Sequence, residues 1–228
     1  MGDVMSLQYL QSTFLTFDQL SELTGVEPAR LRGLIKAGCL PGPAYRVVGE
    51  CVISSIFGDH ADAVELQFFP RSYVAKVNGL VQSGLPDDEL ARREKQDFFA
   101  QYVETLVALR VHTFGLDALY GQDGHVGGAE AEALLEKEWL AYLDGAYGLC
   151  TGSASAEEIA TKEAMIAKIK FLIAAIETGG AGTLLAELEQ AVDLLDQVSA
   201  PFAPHEVARS SRETYINQVR ARYLAQVA

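Results

Sequence analysis

The sequence is poor in cysteine and has no long apolar run, and each absence excludes a class of protein. Its three cysteines, Cys39, Cys51 and Cys150, stand far apart, without the paired spacing of a disulfide framework or of a Cys-x-x-Cys zinc site. No stretch of about 18 apolar residues occurs, and the N-terminus lacks a basic start followed by an apolar segment. We therefore expect a cytoplasmic protein without a membrane span or a metal site.

Catalytic motifs are equally scarce. Four histidines, His60, His112, His125 and His205, are scattered along the chain, and neither a His-Glu-x-x-His nor a Gly-x-Ser-x-Gly motif occurs. The glycine-rich stretches lack the Lys-Ser/Thr pair of a phosphate-binding loop. We expect that the chain is not an enzyme and needs no cofactor.

What the chain does have is the composition of a packed globule. Hydrophobic residues make up 49% and charged residues 21% of the sequence, which is incompatible with a disordered chain. Its 228 residues exceed the usual domain size of about 100 to 200, so one large domain or two modest ones are expected.

The net charge of −13 is unevenly distributed. Residues 1–85 hold six Lys and Arg against eight Asp and Glu, residues 86–198 hold eight against 21, and residues 199–228 hold four against two. The middle of the chain should therefore repel nucleic acid, whereas the two end segments could tolerate it.

Local signals near the N-terminus predict two short helices joined by a tight turn. Apolar residues at helical spacing fill Thr16 to Leu23, where Thr16 can act as the N-cap, and Gly25 ends this helix. A second helix is predicted to begin near Glu27, with Pro28 in its first turn, and to end at Gly38 as a left-handed cap. Such a pair forms a helix-turn-helix.

The following segment predicts a hairpin and a further helix. Tyr45 to Phe57 is rich in Val and Ile, Gly58-Asp59-His60 supplies turn residues, and Val64 to Phe69 alternates apolar and polar residues. After Pro70, the range Arg71 to Gln82 returns to a helical pattern. A hairpin in this position predicts a winged helix-turn-helix.

These residues carry a resemblance to a known family. The runs Phe17 to Arg32 and Ala37 to Pro41 resemble the N-terminal segment of MerR-type regulators, with its Thr-Gly-Val turn, its Leu-Arg recognition helix and a Tyr-Arg at the wing, matched by Tyr45-Arg46. The resemblance covers about a quarter of the chain. It implies a DNA-binding transcription regulator.

The implied DNA contacts come from the second helix and the wing. The residues expected to make them are Arg30, Arg32, Lys36, Tyr45, Arg46 and Arg71. Ala29 and Gly33-Leu34 depart from the family pattern, and acidic Glu22, Glu27 and Glu50 lie in the same segment. The alternative reading makes Arg32 a structural side chain paired with an acid and the other residues a solvated face.

The remainder of the chain reads as helical. Helices are predicted over Pro86 to Phe114, Glu130 to Tyr147, Glu157 to Thr178 and Thr183 to Val198. We therefore predict a mainly α protein, with a winged helix-turn-helix and its small β-hairpin in residues 1–85 and an acidic, all-helical domain in residues 86–228.

A last helix is predicted over His205 to Gln226, with arginines that can dock on the acidic middle helices. Its Arg-x-x-Tyr-Ile-x-x-Val-Arg-x-x-Tyr run, from Arg212 to Tyr223, gives most of the chain a resemblance to an uncharacterised bacterial family. That family implies no known activity. Dimerisation through this helix is left open.

Two hypotheses follow. In the first, the winged segment binds double-stranded DNA and the helical domain senses a signal or dimerises. In the second, the chain is a non-DNA-binding interaction or structural protein that uses a degenerate winged helix to meet a protein partner. A basic cluster on one exposed face favours the first, and burial of the second helix against the helical domain favours the second.

Overall fold

The chain is mainly helical and carries one small antiparallel sheet in the computed structural model, which describes residues 3–116, 119–120, 125–179 and 181–225. The helices are α1 (Asp3–Thr13), α2 (Phe17–Thr24), α3 (Pro28–Lys36), α4 (Tyr73–Gln82), α5 (Asp87–Ala108), α6 (Ala129–Leu143), α7 (Ala156–Glu177) and α8 (Ala181–Val198). The strands are β1 (Leu15–Thr16), β2 (Tyr45–Ser55) and β3 (Gly58–Phe69), in the order β1-β3-β2.

Capping residues fix α2 and α3, as the sequence predicts. Thr16 accepts a hydrogen bond from the backbone N–H of Gln19 at 3.2 Å, and the Gln19 side chain accepts one from the Thr16 N–H at 2.9 Å. Gly25 then ends α2 with a φ of 65°, and Pro28 opens α3. The bounds of both helices are confirmed.

Strands β2 and β3 form a hairpin whose turn differs from the prediction. The antiparallel ladder runs from the pair Tyr45–Phe68 to the pair Ser55–Gly58, so the two turn residues are Ile56 and Phe57. The predicted turn at Gly58-Asp59-His60 is wrong. Phe68 is fully buried beside Leu10 and Phe14, and this anchor at the base fixes the register of every later pair.

Several predicted helix ends are also corrected. The predicted helix Pro86 to Phe114 is interrupted after Ala108, because Arg110 adopts a left-handed φ of 52° before the short 3-10 helix Val111–Thr113. The predicted helix Glu130 to Tyr147 ends at Leu143, where Gly145 turns the chain with a φ of 85°. A separate 3-10 turn, Ala146–Leu149, follows it.

A single hydrophobic cluster connects the N-terminal helices with the long helices. It contains Leu20 and Leu34 of the first part of the chain together with Tyr102, Ile159 and Leu195 of the later part, all of them at most 1% exposed. This cluster crosses the predicted boundary at residue 85. The division of the chain into two domains stays a prediction.

The segment that leaves α3 is buried against the end of α6. Residues 39–43 are all buried, and the N–H of Gly42 donates to the carbonyl oxygen of Leu143 at 2.8 Å. Cys39 donates its thiol to the carbonyl oxygen of Asp87 at 3.3 Å, which ties the same segment to the start of α5. The hairpin therefore begins from a fixed point on the helical body.

The C-terminal segment docks on α7 and α8, as its arginines predict. Arg212 and Arg220 both pair with Asp196, and Arg220 also reaches Asp193 at 2.7 Å. Tyr223 donates its hydroxyl to Glu177 at 2.6 Å. Burial alone raises the pKa of Asp196, but the hydrogen bonds and charges of the two arginines outweigh it and hold that pKa below its ordinary value.

The last helix is shorter than predicted. Residues 207–209 form a separate 3-10 turn, and helical structure resumes at residue 211 with two π-helical turns, Glu213–Asn217 and Arg220–Leu224. The predicted end at Gln226 lies outside the described residues. Across the described ranges, no helix combines the length and the apolar character that crossing a bilayer requires.

The contact at Gly145 can be tested by substitution. A Cβ at this position would lie 2.5 Å from the carbonyl oxygen of Pro43, and the backbone φ is already left-handed. We expect Gly145→Ala to lower the free energy of unfolding by about 2 kcal/mol or more, measured by urea denaturation. Gly79→Ala is the matched control, since that Cβ meets nothing within 4 Å inside α4, and it should stabilise the protein by about 0.5 to 1 kcal/mol. A neutral Gly145→Ala contradicts this account.

The docking of the C-terminal segment gives a second prediction. Arg220→Ala should lower the free energy of unfolding by about 1 kcal/mol, whereas Arg222→Ala, whose exposed pair with Glu177 is screened by solvent, should change it little.

Because Asp196 has a lowered pKa in the folded state, its contribution to the free energy of unfolding is present above pH 3.8, its ordinary pKa, and is lost as the pH falls through the lowered value. The midpoint of thermal unfolding should therefore fall less steeply with acid in Asp196→Asn than in wild type. Equal acid slopes would argue against the arginine contacts.

Candidate interaction surface

The predicted recognition helix α3 is partly engaged with the helical body. Arg30 forms a two-point pair with the carboxylate of Asp87 at 2.7 and 2.8 Å. The hydrogen bond from Arg30 lowers the pKa of Asp87, which lies in the first turn of α5. Arg30 therefore fixes α3 to α5, and a phosphate would have to compete with that carboxylate.

The outward face of α3 keeps two exposed basic side chains. The Arg32 guanidinium lies 4.8 Å from the centre of the Phe17 ring, in a shallow cleft that Asp18 and Glu65 also line. Lys36 is exposed and makes no hydrogen bond or ion pair with the described residues. The predicted pairing of Arg32 with an acid is therefore replaced by a cation–π contact.

Two other predicted contact residues are used inside the molecule. Tyr45 donates its hydroxyl to Glu206 at 2.6 Å, and its ring meets Phe14 edge-on at 5.2 Å. Burial and this hydrogen bond raise the pKa of Tyr45 far above its ordinary value, so it stays a neutral donor. Arg71 donates to the carbonyl oxygen of Ser12 at 3.2 Å. Both side chains hold the base of the hairpin.

The six predicted residues thus fall into two groups. Arg30, Tyr45 and Arg71 make hydrogen bonds within the chain, Arg71 from an exposed position, whereas Arg32, Lys36 and Arg46 are exposed and make no side-chain hydrogen bond with the described residues. Arg46 stands on β2 opposite Gln67, at the base of the hairpin. A DNA-binding role for the six residues stays a prediction.

Several exposed large hydrophobic side chains lie on the hairpin. We call residues 46–67 the hairpin arm; most of its residues are exposed, and Ile56 and Phe57 at its tip are 95% and 94% exposed. Val48, Val52 and Ile53 are also more than half exposed. This apolar tip is therefore the candidate interaction surface of the hairpin.

The ladder register divides the arm into two faces. One face carries the cross-strand pairs Val47–Leu66, Gly49–Val64, Cys51–Asp62 and Ile53–His60, and we call it the apolar face. It continues from Tyr45 and Phe68, which pack in the small cluster around Leu10 and Phe14. The apolar face is therefore an extension of that buried cluster beyond the body of the protein.

Most of the arm's carboxylates lie on the opposite face. Glu50, Asp59 and Glu65 stand there with Arg46, by the alternation of the strands. The apolar face has a single carboxylate, Asp62, whose oxygen lies 3.0 Å from Nε2 of His60. Sequence reasoning found the hairpin but missed this surface, because the misplaced turn obscured which side chains share a face.

Sequence reasoning also missed a buried polar cluster between α6 and α7. Tyr147 donates its hydroxyl to Glu138, which is 3% exposed, and the Lys162 ammonium donates to the sulfur of Cys150 at 2.8 Å. Burial raises the pKa of Glu138, and burial raises the pKa of the Cys150 thiol more than Lys162 lowers it. These contacts join helices that no spacing motif connects, so no sequence signal identified them.

Comparison with known proteins adds one match. The model of a family described as a family of unknown function (DUF6058) matches residues 94–224, which is more than half of the chain. No curated protein and no solved structure matches the chain. The matched segment includes the Arg212 to Tyr223 run and agrees with the predicted likeness to an uncharacterised family. The hairpin arm precedes this segment.

Proposed function

We propose that this chain, which belongs to the DUF6058 family of unknown function, is a non-enzymatic interaction protein. It pairs with a second copy of itself through the hairpin arm. The observation that carries this proposal is the exposure of Ile56 and Phe57 at the end of an apolar ribbon. The helical body holds the arm in place.

An exposed two-stranded ribbon of this kind is more stable when another surface packs against it. A two-stranded hairpin is marginally stable at best in water, and its outer edges present unpaired N–H and C=O groups. In the arm, β2 is an edge strand over its whole length, and β3 pairs with β1 only at Phe68 and Phe69. Packing the apolar face against another surface would remove Val47, Ile53 and Leu66 from water. Val48 and Val52, on the opposite face, and the edge N–H and C=O groups would stay exposed.

The distribution of charge favours a second copy as that surface. The whole chain carries a charge of −13, so two copies repel unless their acids stay apart. On the apolar face the only carboxylate, Asp62, already has His60 beside it, while Glu50, Asp59 and Glu65 point the other way. Two apolar faces can therefore meet about a two-fold axis, with each tip directed at the base of the other arm.

The oligomeric state tests this proposal directly. We expect wild type to sediment as a dimer, and Ile56→Ser/Phe57→Ser to sediment as a monomer with an unchanged circular dichroism spectrum. Leu140→Ser/Phe171→Ser is the matched control, because it removes exposed apolar side chains of the helical body and should leave the dimer intact. Added salt should maintain or strengthen the dimer by screening the repulsion. A wild-type monomer at every concentration, or a dimer in the tip variant, overturns the proposal.

DNA binding is a second candidate, favoured by the outward face of α3. Under this candidate residues 1–85 act as a MerR-like winged helix-turn-helix, and Arg32 and Lys36 reach the duplex from a helix that contains no acidic residue. Arg46 would contact phosphates from the hairpin. The acidic helical part would then serve sensing or dimerisation.

Fluorescence anisotropy with random duplex DNA distinguishes this candidate. Binding should weaken as salt rises, opposite to the salt response of the arm-mediated dimer. Arg32→Ala and Lys36→Ala should each weaken it at all sequences, while Arg92→Ala on the exposed side of α5 serves as the control and should not. Absence of binding even at low salt would exclude DNA as the partner.

A further inference from the structure

One lysine of the cluster between α6 and α7 is buried without a carboxylate partner. Lys162 is 6% exposed and forms no ion pair with any residue that the structure describes. Its ammonium group donates instead to the sulfur of Cys150, where Nζ and Sγ lie 2.8 Å apart. A buried charge has a large desolvation cost, and a thiol offsets less of it than a carboxylate would. Stability alone does not account for this pairing, which indicates a chemical role for the two side chains.

The buried carboxylate of the same cluster is engaged elsewhere. Glu138 is 3% exposed, and it accepts hydrogen bonds from Tyr147 and, at 3.3 Å, from Lys137. It acts on Lys162 through its charge, without an ion pair between the two. The Lys162 nitrogen is therefore in contact with a sulfur atom and not with a carboxylate oxygen.

The sulfur of Cys150 is confined in turn. Cys150 is 8% exposed, and its thiol donates to the carbonyl oxygen of Ala146 at 3.6 Å. Burial raises the pKa of this thiol more than Lys162 lowers it, so little thiolate is present and an oxidant reacts with it slowly. Cys39 bonds to the start of α5 and Cys51 lies on the hairpin arm, and all three cysteines are free. The nucleophile in contact with an oxidised Cys150 sulfur is thus the Lys162 nitrogen and not a second thiol.

We propose that Cys150 and Lys162 form a covalent cross-link when the protein meets hydrogen peroxide. In the first step the thiol sulfur attacks the peroxide, the O–O bond breaks, and the products are a sulfenic acid and one water molecule. The sulfur loses two electrons, which reduce the peroxide. In the second step the Lys162 ammonium gives one proton to solvent, and its nitrogen attacks the sulfenic sulfur. An N–S bond forms, the S–O bond breaks, and the hydroxyl leaves as water with a second proton of the nitrogen.

The cross-link, a sulfenamide, has a structural consequence. It ties α7 to the residue that follows the 3-10 turn Ala146–Leu149, across a sequence separation of 12 residues. Closing a loop restricts the unfolded chain, so the linked protein should be the more stable form. Because the thiol reacts slowly, the pair responds to sustained oxidant and not to a brief exposure. The inference does not depend on the hairpin arm.

Mass spectrometry of the full chain after treatment with hydrogen peroxide tests the proposal. A protease that cuts after glutamate separates Cys150 from Lys162 at Glu157 and Glu158, unless the two residues are linked. We expect a linked pair of peptides whose mass is lower, by two hydrogen atoms, than the sum of the reduced peptides, and dithiothreitol should separate them. Oxidation of the exposed Cys51 in the same sample shows that the oxidant has acted. A sample in which Cys51 is oxidised but Cys150 and Lys162 stay unlinked refutes the proposal.

Variants assign the link to this pair. Lys162→Met keeps the length of the side chain but removes its nitrogen, so the linked peptides should be absent. Cys150 should then pass on to the sulfinic and sulfonic acids, which dithiothreitol does not reverse. Lys168→Met is the matched control on the same helix, because its Nζ lies 5.8 Å from the centre of the Phe114 ring, and it should leave the link unchanged. Oxidised wild type should unfold at a higher temperature than reduced wild type, and Cys150→Ser should show no such rise. A cross-link at Cys150 that persists in Lys162→Met would overturn the assignment.

Discussion

The burial of the segment after α3 against the end of α6 is the contact on which the rest of the structure depends. The hydrogen bond from Gly42 to Leu143 and the close approach of Gly145 to Pro43 leave no room for a side chain at that turn. The contact unites the two parts of the chain around one hydrophobic cluster. Tyr45, the first residue of β2, follows Pro43 by two residues, so this contact also sets the position from which the hairpin leaves the body.

Local structure was predictable wherever a few adjacent residues determine it. The N-cap at Thr16, the left-handed Gly25 and the proline at the start of α3 each act within one helical turn, so the two short helices follow from the sequence. The docking of the C-terminal arginines was predictable for another reason. A basic helix in a chain with a strongly acidic middle has an obvious electrostatic partner, which is found at Asp193 and Asp196.

Long-range geometry was not predictable from the same signals. The partner of Arg30 is Asp87, 57 residues away, and nothing in the sequence of α3 distinguishes this arginine from Arg32, which remains exposed. The hairpin turn was misplaced because Gly58 and Asp59 have turn propensity, while the register is decided by the buried pair at the base.

The first helix has a consequence for the order in which the protein is made. Tyr9 donates to the carbonyl oxygen of Pro201, and Ser6 lies 2.9 Å from His205, so α1 rests on residues that lie 192 and 199 positions later in the chain. Tyr45 likewise depends on Glu206. During translation the base of the hairpin therefore lacks its final neighbours until residues 201–206 have left the ribosome. Until then the nascent chain exposes an apolar strand pair, and exposed strand pairs of this kind are prone to aggregation during folding.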